Sequence, residues 1–306
     1  METFTAVIVM KESQIKSYLM FLGSMLIFGT IGVFRRYIPV SSTLLAFMRG
    51  LLGSAALFIF VKLKRKKLSQ KISFKVLLLL ILSGGLIGLN WIFLFEAYNY
   101  TTIATATLCY YMQPTIVVLL SPILFKEHLG FKKGICVITS VIGMILVSGV
   151  FESESQNSAY AKGVAFGLAS AVLYAVVVIL NKKIPIDDAY KKTVIQLFSA
   201  SVVLIPYLLL TENLISVKLS PTAIVLIIIL GIVHTGIAYA MYFASIPSLS
   251  AQSIAIMSYL DPVSALFISA VILAEGISLY GITGAVLIIG SAVISELSFK
   301  RKTKHT

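Results

Sequence analysis

Residues 258–275 read SYLDPVSALFISAVILAE, an apolar stretch of membrane length with an Asp-Pro pair inside it and a single Glu at its end. A copy lies earlier, at residues 110–127: YYMQPTIVVLLSPILFKE. An offset of 148 residues aligns Tyr111 with Tyr259, Pro114 with Pro262 and Glu127 with Glu275. Such a repeat predicts a chain made of two copies of one unit, meeting around two Pro-interrupted helices.

Composition says what those helices are embedded in. Of 306 residues, 58% are hydrophobic and only 12% charged, with a mean hydropathy of +0.99. That leaves too few polar side chains to coat a water-facing surface, so the fold class expected is an all-α integral membrane protein. A net charge of +13 is compatible in principle with nucleic-acid binding. The basic residues, however, cluster in short loops between apolar runs rather than along one face, so nucleic acid is excluded as a partner. Cys109 and Cys136 lie inside apolar segments without CxxC or His spacing, which points to packing and to no metal site.

A bilayer core takes roughly 20 apolar residues per helix. On that measure ten transmembrane helices are expected, near 17–34, 42–61, 75–97, 102–124, 132–150, 162–181, 193–210, 221–243, 250–273 and 278–297. Counting Lys and Arg in alternate loops puts twenty on one side and four on the other, with Arg49 inside a helix. By the positive-inside rule both termini are cytoplasmic and the acidic loop with Glu152 and Glu154 is outside. Five helices per copy then invert the second copy relative to the first. The expected division is a cytoplasmic tail (1–16), a first five-helix repeat (17–150), an outer linker (151–161), a second five-helix repeat (162–297) and a basic cytoplasmic tail (298–306). The location expected is the cytoplasmic membrane, multi-pass, and residues 1–10 carry no cleavable signal pattern.

Two longer stretches carry a resemblance: 95–149, FEAYNYTTIATATLCYYMQPTIVVLLSPILFKEHLGFKKGICVITSVIGMILVSG, and 243–295, FASIPSLSAQSIAIMSYLDPVSALFISAVILAEGISLYGITGAVLIIGSAVIS. Each has a small-residue turn, a helix with a central Pro, a terminal Glu and a Gly-bearing last helix. This resembles the EamA-like ten-helix exporters of the drug/metabolite transporter superfamily over nearly the whole chain. The resemblance implies a secondary transporter, typically an exporter of amino acids or related metabolites, with a cavity lined by helices from both repeats. Efflux of cationic drugs, or transport of a nucleotide-like metabolite such as an S-adenosyl compound, stays open beside it. One departure is that polar residues, Gln113 and Asp261, precede the two central prolines.

A proline inside a helix frees a backbone carbonyl, tolerated in a membrane only where protein or a water-filled cavity satisfies it. Pro114 and Pro262 are therefore expected to face the interior, as a kink or as a gating element. Asp261 at membrane depth costs at least about 2.5 kcal/mol, so it must meet water, a partner or a substrate amine, or exchange a proton. A hydrogen bond to a neighbouring helix is the plainer alternative. Arg49 and Glu96 fall at similar depth on consecutive helices, where an ion pair with a structural or gating role would relieve both. Asn90, Trp91, Tyr110, Tyr111, Gln113, Tyr174, His234, Tyr239 and Tyr259 are the remaining candidates for substrate contact, the aromatic ones by stacking or cation–π attraction. For His234, hydrogen-bonded packing competes with proton relay. Glu127 and Glu275 end their helices as interfacial anchors or gate contacts. Gly84, Gly85, Gly88, Gly163 and Gly167 have the spacing of close helix contacts. No nucleotide-binding, metalloprotease or triad pattern is present, so no enzyme activity and no cofactor are expected. The expected partners are a small-molecule substrate, the lipid bilayer and a coupling proton, in a monomer or homodimer.

Overall fold

A computed structural model of the chain describes residues 2–64, 72–125, 130–147, 158–186, 188–213, 219–249 and 257–300. All regular structure among them is helical. The helices are α1 (Glu2–Gly29), α2 (Ile31–Arg36), α3 (Ser42–Leu63), α4 (Phe74–Tyr100), α5 (Ile103–Tyr110), α6 (Gln113–Phe125), α7 (Phe131–Val147), α8 (Ser158–Lys183), α9 (Ala189–Thr211), α10 (Pro221–Gly231), α11 (Ala238–Ser245), α12 (Leu260–Ile272) and α13 (Leu279–Lys300). A π-helical turn, Ile232–Ile237, joins α10 to α11. Among the described residues, seven spans are long and apolar enough to cross a membrane, and three shorter apolar helices, Gly134–Val147, Leu260–Ile272 and Leu279–Ile294, accompany them. The first helix begins at Glu2, well before the apolar run that starts near residue 17.

Helix starts follow a local rule. A side-chain oxygen accepts from a backbone N–H three residues on at Ser41, Ser73, Thr102, Asp188 and Ser220, the last with Pro221 at the first helical position. Such caps satisfy amides that have no partner within the helix. The chain is interrupted where the repeat places its prolines. Turn residues Tyr111 and Met112 separate α5 from α6, and Tyr259 precedes α12. Pro114 and Pro262 fall in the first turn after each break, where a missing N–H costs least.

Close approach of the helices depends on glycine. A Cβ on Gly84 would lie 2.5 Å from the carbonyl of Gln196, and one on Gly88 would lie 3.0 Å from that of Ala200, so α4 presses on α9. Gly167 meets Cys109 and Gly163 meets Thr101 in the same way, seating α8 on α5 and on the chain just before it. Helix α7 packs along α13, where a Cβ on Gly143 would lie 2.8 Å from the Gly284 carbonyl. There Ser140 Oγ is hydrogen-bonded to Ser291 Oγ, and Thr115 Oγ1 donates to Ser140 at 3.0 Å.

The remaining contacts come in corresponding sets. Helix α3 packs on α9, and α5 on α12. Helix α4 packs on α8 and α9, while the α10–α11 span packs on α1 and α3; α5 packs on α8, while α12 packs on α1. Leu45, Phe95, Ile103, Leu197 and Leu230 fill the shared core. Ile138, Leu210, Phe267 and Val271 stay exposed on the outer faces, as lipid-facing residues do.

Candidate functional site

The two helix breaks bring together the two ends of the repeat motif. Tyr111, at the end of α5, donates its hydroxyl to Oδ2 of Asp261 at 2.5 Å. Asp261 lies in the first turn of α12, where unpaired amides and the helix dipole favour an anion. A hydroxyl donor and a helix N-terminus together offset part of the cost of a carboxylate at this depth.

Around this pair stands a ring of aromatic side chains. Tyr110 meets Tyr111 edge-on at 5.5 Å and Tyr174 of α8 at 5.6 Å. Tyr239 of α11 lies 5.3 Å from Phe28 of α1 and stacks on Phe243 at 6.0 Å. Tyr110, Tyr111, Tyr174, Tyr239 and Asp261 come from helices of both halves, and each is only half-buried. Side chains that converge from four helices and each keep part of their surface open are the arrangement expected of a crevice rather than of a sealed core.

Arg49 completes the set, and not as the sequence suggests. It is buried in α3, its Nε donates to Thr235 Oγ1 at 2.9 Å, and its guanidinium lies 4.4 Å over the Trp91 ring and 5.8 Å from that of Phe95. Tyr239, Tyr110, Tyr98 and Asp261 are within its electrostatic reach. The expected Arg49–Glu96 ion pair does not form. Trp91 and Phe95 are four residues apart and share the α4 face toward Arg49, whereas Glu96 is turned by about 100° along the helix. Glu96 accepts instead from Asn99 Nδ2 at 3.5 Å, beside the Arg35 charge. Trp91 in consequence is buried beneath the guanidinium.

The other candidates are distributed around this core. Asn90 is buried and donates through Nδ2 to both the carbonyl and Oγ of Ser170, each at 2.7 Å, joining α4 to α8, while its Oδ1 has no partner. His234 lies in the π-helical turn, with Nε2 2.8 Å from Thr30 Oγ1 and the ring edge-on to Phe34 at 4.6 Å. It therefore bridges the interrupted first span to the span that receives Arg49. Tyr259 is buried at the second break, and Gln113 is half-buried at the start of α6.

Thr235 and the π-helical turn are the parts that sequence reasoning missed. A single-turn π segment within an α-helix re-aims side chains and recurs at functional sites. The available signal was the crowding of Gly231 and Gly236 around His234 and Thr235. A Cβ on either glycine would lie 2.5 Å from a side chain of α3, Leu52 or Ala56.

One end of the helix assembly is fastened across the halves. Glu275, just after α12, accepts from Arg36 Nη2 at 2.7 Å and from the backbone N–H of Ile103 at 2.9 Å. Arg36 Nη1 also donates to the carbonyl of Tyr98 at 2.8 Å. Its repeat mate, Glu127, lies outside the described residues.

Comparison with known proteins gives the family and the fold. The EamA-like transporter family matches the chain twice, over residues 15–149 and 161–297. An uncharacterized transporter of Bacillus subtilis (strain 168), YxxF, is 28% identical over 283 residues, covering 92% of this chain and 90% of its own. A solved crystal structure shares the fold with a TM-score of 0.64 at 22% identity, over 93% of this chain and 98% of that one. The chain is thus a multi-pass membrane transporter and belongs to the EamA-like transporter family.

Proposed function

We propose that this chain is a secondary transporter that exports amino acids or related small metabolites across the cytoplasmic membrane by alternating access, without ATP. The observation that carries the reading is the Tyr111–Asp261 hydrogen bond between the two helix breaks, inside a ring of half-buried tyrosines contributed by both repeats. A substrate ammonium placed there meets a carboxylate and aromatic faces together. Asn90, Tyr110, Tyr174, Tyr239, Gln113 and Tyr259 complete the proposed binding surface, with His234 and Trp91 supporting it from behind.

The architecture proposed is ten spans in two inverted five-helix repeats, 17–150 and 162–297, with both termini cytoplasmic. Its support is the correspondence of contacts: α4–α8 with the contact of α1 on the α10–α11 span, α5–α8 with α1–α12, and three pairings, α3–α9, α5–α12 and α7–α13, that are their own counterparts. An axis in the membrane plane through those three pairs would relate the halves. Efflux of organic cations is the second reading, favoured by the acid within the tyrosine ring and opposed by the buried Arg49 beside it.

The test is flux in proteoliposomes with labelled amino acids and organic cations, with and without a proton gradient. Amino-acid flux that falls at least about tenfold in Asp261→Asn supports the reading. Cation flux alone, indifferent to that substitution, overturns it.

A further inference from the structure

We propose that Arg49 is the residue that reads the carboxylate of the substrate, so that Arg49 and Asp261 together select molecules carrying both a cation and an anion. This rests on the reading of the crevice as the transport site.

The inference starts from donors that the protein does not use. A buried guanidinium carries five N–H groups in a fixed fork. Arg49 commits Nε to Thr235, and neither Nη has a hydrogen-bond partner among the described residues. Those Nη atoms are also absent from the buried side-chain atoms sealed without a partner, which are Arg35 Nε, Asn90 Oδ1 and Thr101 Oγ1. The Nη edge of Arg49 therefore keeps a trace of accessible surface within a residue that is 4% exposed. Stacking on Trp91 fixes the plane of the fork, and the bond to Thr235 fixes its rotation. No ion pair joins Arg49 to Asp261, although each lies within electrostatic reach of the other. Two opposite charges within electrostatic reach of one another, yet unjoined, leave a place for a zwitterion between them.

The repeat supplies an internal control. Gln196 lies 147 residues after Arg49 and occupies the matching register of α9, with Ser201 after it where Ser54 follows Arg49. Gln196 Nε2 donates to Ser83 Oγ at 2.6 Å and to Asn181 Oδ1 at 2.7 Å, so its donors are spent on the protein. Asp261 likewise corresponds to the neutral Gln113. At both positions the scaffold is served in one copy by an amide and in the other by a charge. An ionised group within a membrane helix costs several kcal/mol beyond such an amide, and a scaffold role alone leaves that cost without return. A bidentate carboxylate on the free Nη edge supplies the return.

The experiment measures competition for flux in proteoliposomes between an amino acid and the amine that lacks only its carboxylate, phenylalanine and phenethylamine. In the unsubstituted protein the amino acid is favoured. In Arg49→Gln its KM rises by roughly 10- to 100-fold, the worth of one or two hydrogen bonds to a charge, while that of the amine changes little. Arg49→Lys, which keeps the charge and loses the fork, retains part of the preference. Equal losses for both compounds in Arg49→Gln, or a preference unaltered in either variant, overturn the assignment of Arg49 and leave the transport reading standing. If the unsubstituted protein moves amines alone, or neither compound, the transport reading falls and takes the assignment with it.

Discussion

Glu275 and Arg36 are joined across the two repeats at 2.7 Å, while the second carboxylate oxygen of Glu275 accepts from the first amide of α5. One side chain from the second copy thus ties two helix ends of the first. Arg36 is partly exposed, which limits the pair to about 1 kcal/mol, and the bond to the helix N-terminus contributes a similar amount. Under the proposed alternating access this end has to open, so Glu275→Gln should favour the open form by several-fold. The measurement is the rate at which a membrane-impermeant maleimide labels a cysteine placed at Thr102. An unchanged rate would show that the contact does not hold the end closed.

The Tyr111–Asp261 hydrogen bond should appear as coupling between substitutions. Asp261→Asn lowers flux more than Tyr111→Phe does, and the double variant is less impaired than the product of the two. A coupling energy of about 0.5–3 kcal/mol is expected for residues in direct contact. Strict additivity in KM and maximal flux would mean that the two side chains act independently.

At the α7–α13 crossing, backbone rather than side chain sets the distance. A Cβ on Gly284 would lie 2.6 Å from the Gly143 carbonyl, so neither glycine can take a larger residue without separating the helices. Gly143→Val should lower stability by about 1–3 kcal/mol. Thermal unfolding in detergent, followed by loss of the monodisperse peak, reads this directly. No shift in midpoint would show that the crossing repacks freely.

Ala274 terminates α12 with a φ of 52°, and the amide of Glu275 then reaches back to the Ser269 carbonyl at 3.4 Å. That left-handed turn aims Glu275 at Arg36, and alanine occupies it at a cost glycine avoids. Ala274→Gly should therefore stabilise the chain by about 0.5–1 kcal/mol, seen as a higher unfolding midpoint. A lower midpoint would argue that the added freedom of the unfolded chain outweighs the strain.

Much of the architecture is legible in the residues. The break at Tyr111 and its copy at Tyr259 follow from the aligned prolines, and the caps at Ser41, Ser73, Thr102 and Ser220 mark helix starts by local chemistry. Asp261 stands out because a carboxylate within an apolar run has few permitted environments. The pairing of Arg49 was not legible. Equal depth suggested Glu96, yet rotation about the helix axis turns Trp91 and Phe95 toward the guanidinium and Glu96 away from it. Nor could residue order show that Thr235 would meet Arg49 from 186 positions away, through a π-helical turn.

By itself, the sequence determined the membrane class, the repeat, the interrupted helices and the acid at their meeting point, because hydropathy, proline and capping act over a few residues. Only the tertiary structure decided which faces those helices turn to one another. That choice depends on packing among distant segments, and it is what left Arg49 stacked on Trp91, bonded to Thr235, and free at its Nη edge within electrostatic reach of Asp261.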